Sequence, residues 1–319
     1  VSTARTPIGK AFKGAFNDTQ AQSLAGHAIS EAVKRSGVAK EEIDDVVLGA
    51  ASQQGTQQGN IARQALLRAG LPVSVAGMSL DRQCASGMMA IATAAKEIID
   101  DGMKITVGGG VESVSLTRNE HFRTDRARDP WFETYLPTLY MTMIETAENV
   151  AQRYGISREA QDEYSYQSQM RTANAQGAGL LDTEIVPLKS QMKIKDKETG
   201  KILTKEVNLK NDEGNRTNTT LDGLSSLKPV FKDGIYLKKG NYITAGNASQ
   251  LSDGASACVL MEATEVEKRG LQPLGIYRGI SVAGCEPDEM GIGPVFAVPK
   301  LLKQHNLKIN DIGLWELNE

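Results

Sequence analysis

Asp81-Arg82-Gln83-Cys84-Ala85-Ser86-Gly87-Met88-Met89-Ala90 joins two apolar runs of different texture. Residues 75–80 read as a short strand, and 85–99 form an Ala-, Met- and Ile-rich run with helical spacing and almost no charge. The sequence therefore sets a cysteine at a strand-to-helix turn. Unpaired N–H groups and the dipole at a helix N-terminus favour an anion there, and the thiolate is the nucleophilic form of cysteine. The following helix has too few polar residues to face water and reads as buried at a domain core. Two readings of Cys84 stand at this point: a nucleophile, or a small buried core residue, the usual state of a free thiol.

With 319 residues, 40% hydrophobic and 24% charged, the chain is long enough for two domains and a sizeable core. No apolar run approaches the roughly 18 residues that a membrane span needs, and no secretory signal pattern opens the sequence. A net charge of −3 provides no field that would recruit nucleic acid. Cys84, Cys258 and Cys285 lie far apart without metal-ligand spacing. Their odd number argues against a disulfide framework, so a reducing, intracellular compartment is expected.

Working outward, 21–36 shows an amphipathic stripe of Leu24, Ala28, Ile29, Ala32 and Val33, with Gly37 as its stop. Residues 43–49 read as a buried strand, 60–69 as a second helix closed by Gly70 and Pro72, and 105–107 as another strand. Strand and helix alternate from 1 to 107, which predicts a mostly parallel sheet with helices on its faces. Gly108-Gly109-Gly110 is followed by no helix bearing Lys-Ser or Lys-Thr, so it is neither a P-loop nor a dinucleotide fingerprint. Close backbone approach at a strand end is the better reading. His27 falls on a helix and reads as structural, and His121 lies in a polar run, 119–129, that reads as a solvated loop.

From about Leu116 the texture changes: 129–142 is irregular, 144–154 reads as a helix, and Ser157 caps another over 158–176. In the lysine-rich segment 189–210, Met192 and Ile194 face Ile202 and Val207 across Glu198-Thr199-Gly200, a hairpin pattern with a solvated face. Arg216 could grip a phosphate bidentately or make a surface ion pair. Tyr242-Ile243-Thr244-Ala245-Gly246-Asn247-Ala248-Ser249 is a loop of small residues suited to lying against a ligand, or an ordinary turn. It leads into an apolar strand at 253–261, in which Cys258 reads as inert packing.

Gln83-Cys84-Ala85-Ser86-Gly87, Gly108-Gly109-Gly110-Val111-Glu112-Ser113, Thr244-Ala245-Gly246-Asn247-Ala248-Ser249 and Asn318-Glu319, in this order, resemble the motifs of the thiolase family over essentially the whole chain. The resemblance implies an α/β fold: a five-layered αβαβα sandwich of two related halves with an inserted loop domain. The expected division is 1–115 plus 242–264 as the nucleophile-bearing half, 116–241 as the loop domain covering coenzyme A, and 265–319 as an incomplete second half. Val1 to Gly9 resembles the end of the family's first strand, so a few preceding residues are expected to be missing. The family's Gly-His-Pro histidine and Cys-x-Gly cysteine do not occur in these 319 residues, and His305 precedes Asn-Glu and cannot replace that histidine.

The implied activity is acyl-CoA:acetyl-CoA C-acyltransfer, a reversible Claisen condensation and thiolysis of 3-oxoacyl-CoA through a Cys84 acyl-enzyme. Asn318 would hold an oxyanion-hole water. Ser249 and Ala245 would flank the pantetheine arm, Arg216 the nucleotide, and Met143 and Met290 the acyl group. Thr142 stands where some biosynthetic members carry a histidine, which favours a broader 3-ketoacyl thiolase. The resemblance implies no metal and no cofactor, coenzyme A thioesters as substrates, a cytoplasmic homodimer or homotetramer, and no nucleic-acid or membrane partner. A non-catalytic acyl-CoA-binding protein is the alternative. A decarboxylating condensing enzyme is disfavoured by the pairing of the Cys84 and Ser249 motifs.

An internal echo stands apart from the resemblance. Arg35-Ser36-Gly37-Val38 leads at fixed spacing to Ile43, Val46 and Leu48, and Gln304-His305-Asn306-Leu307 leads to Ile312, Trp315 and Leu317. Both read helix, turn, strand, as a duplicated α/β unit would.

Overall fold

The computed structural model describes residues 1–318. The strands are β1 (Ser2–Arg5), β2 (Gly9–Lys10), β3 (Asp45–Gly49), β4 (Ala76–Leu80), β5 (Ile105–Ser113), β6 (Leu188–Lys195), β7 (Ile202–Leu209) and β8 (Ser252–Met261). The helices are α1 (Ala21–Ser36), α2 (Ile61–Arg68), α3 (Ser86–Asp101), α4 (Val114–Thr117), α5 (Pro130–Tyr135), α6 (Met143–Arg153), α7 (Arg158–Gly177), α8 (Leu221–Ser225), α9 (Ala263–Lys268) and α10 (Gly293–Gln304). They fall into two units: Val1–Arg123, Gly179–Gly214 and Gln250–Arg278 in the first, and Thr124–Ala178, Asn215–Ser249 and Gly279–Glu319 in the second.

The first unit is built on a six-stranded sheet of order β1-β8-β5-β3-β4, with β2 also paired to β8. β3 runs parallel to β4 and β5, while β8 is antiparallel to β1, β2 and β5. The predicted parallel sheet is therefore present with one reversed strand, and that strand arrives from far along the chain. On one face, Leu24, Ala28, Ile29, Ala32 and Val33 of α1 and Ile61, Ala62, Ala65 and Leu66 of α2 form the main core with Val46, Leu48, Val107 and Val259. α1 ends as its sequence predicts, with Gly37 at φ +71° and its N–H donating to the Lys34 carbonyl. On the other face, Ala90 and Ala94 of α3 pack on Val47. α3 is not buried on all sides as its composition suggests: Met88 and Ile99 are 62% and 65% exposed. Its alanines and Ile91 meet the sheet, while Met88 and Ile99 point away from it.

The hairpin β6–β7 forms, with Ile194 opposite Leu203 and Lys195 opposite Ile202. Asp196 Oδ1 accepts from the N–H groups of Glu198 and Thr199 and closes the turn. The hairpin belongs to the first unit. Leu188, Val207 and Leu209 pack against the main core, and the Asn17 side chain exchanges two 2.8 Å hydrogen bonds with the Lys193 backbone. Residues 265–278 also join the first unit, anchored by buried Val266 and the Arg269–Glu42 ion pair at 2.6 Å.

In the second unit, the carboxylates of α6 and α7 organise the irregular segments. Glu145 accepts from the N–H groups of Ile235, Tyr236 and Leu237, and Glu148 from those of Asn241, Tyr242 and Ile243. The echo is visible in the backbone up to its strand. Gly37 and Asn306 both take positive φ, and their N–H groups bond the Lys34 and Lys303 carbonyls. Single 3₁₀ turns follow at Lys40–Glu42 and Ile309–Asp311, each closed by its last carboxylate accepting from the residue before the turn. The expected second strand is absent among the described residues. Ile312, Trp315 and Leu317 lie outside any strand, and Trp315 and Leu317 are exposed; a strand exists only where a neighbour takes its N–H and C=O groups.

Candidate active site

Cys84 occupies a pinned turn between β4 and α3. Gln83 adopts φ +46°, an uncommon conformation for a residue with a Cβ. It is held there by local hydrogen bonds: Asp81 Oδ1 accepts from the Gln83 N–H at 2.6 Å, and Ser86 Oγ accepts from the Arg82 N–H at 2.8 Å while donating to the Gln83 carbonyl at 2.6 Å. The turn lifts Cys84 clear of the packing, and its thiol is free and exposed. It lies just before the first turn of α3, whose leading N–H groups have no intrahelical carbonyl to bond. Of the two readings of Cys84, the buried core residue is excluded.

The glycine-rich strand explains why that helix end sits where it does. A Cβ on Gly49 would fall 2.1 Å from the Ser86 carbonyl carbon, and one on Gly108 2.7 Å from Ile91 Cα. The first two turns of α3 thus rest directly on the backbones of β3 and β5. Gly108 and Gly110 seat the helix that follows Cys84, while a Cβ on Gly109 would fall 2.2 Å from the Ser256 carbonyl oxygen of β8, in keeping with the close backbone approach read from the sequence.

Sequence reading missed the fastening of the loops at the same end of the sheet. Glu112 accepts from the Ala51 N–H at 2.9 Å and from Gln57 Nε2 at 3.0 Å, and Gln57 Oε1 accepts from the Ser113 N–H. Gln57 is buried, and the pair ties the segment after β3 to the end of β5. Its only signal in the sequence is an acid following the triple glycine.

The other two cysteines are unlike Cys84. Cys258 lies in β8 with Sγ 3.4 Å from the Gly108 carbonyl, and burial pushes its thiol up from the usual range. Cys285 is half-buried near the Glu289 carbonyl.

The remaining candidates belong to the second unit. Ala245 and Ser249 are exposed on the loop 244–249, which Asn247 shapes by accepting from the Thr244 N–H at 2.7 Å. Arg216 is exposed; its backbone N–H donates to Gln169, and among the described residues no carboxylate pairs with its guanidinium. Met143 opens α6, capped by Thr142 Oγ1 accepting from the Glu145 N–H. Met290 lies in the turn Pro287–Ile292, which α6 holds: Arg153 pairs with Asp288 at 2.7 Å and with Glu289, and Asn149 Nδ2 donates to the Asp288 carbonyl at 3.0 Å. The structure thus brings the Met290 turn onto the helix that Met143 begins. Asn318 is exposed and lies outside any helix or strand.

Two family models cover the chain: the thiolase N-terminal domain matches residues 1–264 and the thiolase C-terminal domain matches 271–319. A 3-ketoacyl-CoA thiolase of Bacillus subtilis is 39% identical over 327 residues, covering all of this chain and 79% of that protein. The chain belongs to the thiolase family. The peroxisomal 3-ketoacyl-CoA thiolase B of Mus musculus is 37% identical, covering 99% of this chain and 71% of its own length. The crystal structure of the Bacillus anthracis acetyl-CoA acetyltransferase matches 98% of this chain and 77% of that one with a TM-score of 0.81 at 38% identity. The fold is the α/β fold of thiolases, and the protein is an acyltransferase of that family. Among the described residues, no helix is long and apolar enough to cross a membrane.

Proposed function

We propose that this thiolase transfers acyl groups between coenzyme A thioesters, with Cys84 as the acylated residue. In the first half-reaction the Cys84 sulfur attacks the thioester carbonyl carbon. A bond from carbon to the Cys84 sulfur forms, the bond to the coenzyme A sulfur breaks, and coenzyme A leaves with the proton that Cys84 gave up. In the synthetic direction C2 of acetyl-CoA gives up a proton and bonds to the acyl carbon, the bond from that carbon to the Cys84 sulfur breaks, and the released proton restores the Cys84 thiol; in thiolysis the same steps run backwards. The single observation that carries the reading is an exposed thiol on a pinned turn at the N-terminus of α3.

Asn318 as the holder of an oxyanion-hole water, Ser249 and Ala245 along the pantetheine, Arg216 at the nucleotide, and Met143 and Met290 at the acyl group complete the proposal. Arg216 is supported by its lack of a carboxylate partner among the described residues, which leaves its guanidinium open to a phosphate. No resident cofactor or metal is required, since coenzyme A enters and leaves as substrate. We also propose self-association as a homodimer or homotetramer, supported by the partly exposed edge strand β4 with Met78 outward. A cytoplasmic compartment is supported by three unpaired cysteines. The test is thiolysis of acetoacetyl-CoA by the full chain with coenzyme A. Turnover that Cys84→Ala lowers by about 10³-fold or more supports the proposal, and turnover unchanged in Cys84→Ala overturns it.

A further inference from the structure

The loop 241–249 contains no strand or helix, yet the N–H groups of Asn241, Tyr242, Ile243, Thr244, Gly246 and Asn247 are all held by side chains. The N–H groups of Asn241, Tyr242 and Ile243 go to Glu148, that of Thr244 goes to Asn247 Oδ1, and those of Gly246 and Asn247 go to Thr244 Oγ1. Asn247 Nδ2 then donates to the Tyr242 carbonyl at 2.9 Å and to Asp162 Oδ1 at 3.0 Å. Asp162 is 3% exposed and is itself fixed by Arg158 Nε at 2.8 Å, and the Arg158 guanidinium also donates to the Leu224 carbonyl. Glu148 is 1% exposed and fits against Gly240, where a Cβ would lie 2.5 Å from Glu148 Oε1. Two buried carboxylates from two helices therefore clamp the loop on either side of Ala245, which stays exposed at its turn.

We infer that Glu148, Asp162 and Asn247 are positioning residues that preset the 244–249 loop for the pantetheine arm of coenzyme A. The inference rests on the proposed reading of Ala245 and Ser249. Buried charge costs free energy unless fully hydrogen-bonded, and here the hydrogen bonds fix a surface loop and not a core element. A loop held in its bound conformation before the ligand arrives loses less freedom on binding. The clamp therefore acts on the affinity for coenzyme A and leaves the reactivity of Cys84 alone.

Asn247→Asp keeps the oxygen that accepts from Thr244 and sets a carboxylate oxygen against Asp162 Oδ1 and the Tyr242 carbonyl. Asp162→Asn combined with Asn247→Asp restores a donor–acceptor pair between the two side chains. The readouts are the rate at which iodoacetamide alkylates Cys84, the concentration of coenzyme A that halves this rate, and KM and kcat for acetoacetyl-CoA thiolysis. Asn247→Asp is expected to leave alkylation without ligand unchanged, and to raise the protecting concentration and KM by about tenfold or more. kcat should stay within about threefold, and the double variant should recover most of the loss. Unaltered protection and KM in Asn247→Asp, or a double variant no better than the single one, overturns the inference alone. Absence of protection by coenzyme A in the unsubstituted chain overturns the proposed function and this inference with it.

Discussion

Glu97 is the acid buried within α3, the helix that presents Cys84. The residue is 9% exposed, Oε2 has no hydrogen-bond partner among the described residues, and burial, reinforced by Asp45 and Asp101, pushes its pKa up to about 7. The folded state therefore holds a proton on Glu97 between the ordinary carboxyl value of 4.5 and about 7, where the unfolded chain does not. Stability from this source is fully present below 4.5 and is lost as pH rises through about 7. A carboxyl raised from 4.5 to about 7 corresponds to at most about 3 kcal/mol, and between pH 5 and 8.5 the loss is about 2 kcal/mol. Glu97→Gln removes the titration at nearly constant volume. In urea unfolding followed by circular dichroism, its advantage over the unsubstituted chain should grow by that amount from pH 5 to 8.5. Asp45→Asn removes only the second contribution, so the pH dependence should shrink without vanishing. A difference between Glu97→Gln and the parent that is flat with pH would refute the reasoning.

Two further outcomes are expected. Iodoacetamide should label Cys84 well before Cys258, whose thiol burial pushes up, and acetyl-CoA should protect Cys84; peptide mass spectrometry reads the order, and equal labelling of all three cysteines contradicts it. Gly49→Ala places a methyl 2.1 Å from the Ser86 carbonyl carbon, so it should cost about 3 kcal/mol or more and slow thiolysis by displacing the α3 N-terminus, whereas Gly177→Ala, with open space around it, should be stabilising by about 0.5–1 kcal/mol; thermal unfolding of both variants checks the contrast.

What the sequence disclosed follows the range of the forces involved. Helix ends marked by Gly37 and Ser157 formed where expected, because a cap is satisfied within a few residues. The Cys84 turn and the glycine seat were legible for the same reason. Long-range pairing was not: nothing local in 253–261 says that this strand lies antiparallel to β5, nor that β6 and β7 face the main core and leave the second unit. α3 misled because its composition is apolar all round, while Met88 and Ile99 are left exposed on the side away from the sheet. The echo predicted a strand after Ile309–Asp311, and the local turn formed without it, since a strand depends on a distant neighbour. The Glu148, Asp162 and Asn247 clamp joins residues 85 and 95 positions apart, beyond any sequence pattern.

Tryptic peptide 83–96 separates Cys84 from both other cysteines. Brief incubation of the full chain with acetyl-CoA, followed by acid quench, digestion and mass measurement, should find one acetyl group on that peptide, and added coenzyme A should remove it. An unmodified 83–96 peptide under conditions where the chain turns over acetoacetyl-CoA, or acetyl groups spread equally over Cys84, Cys258 and Cys285, would contradict a Cys84 acyl-enzyme.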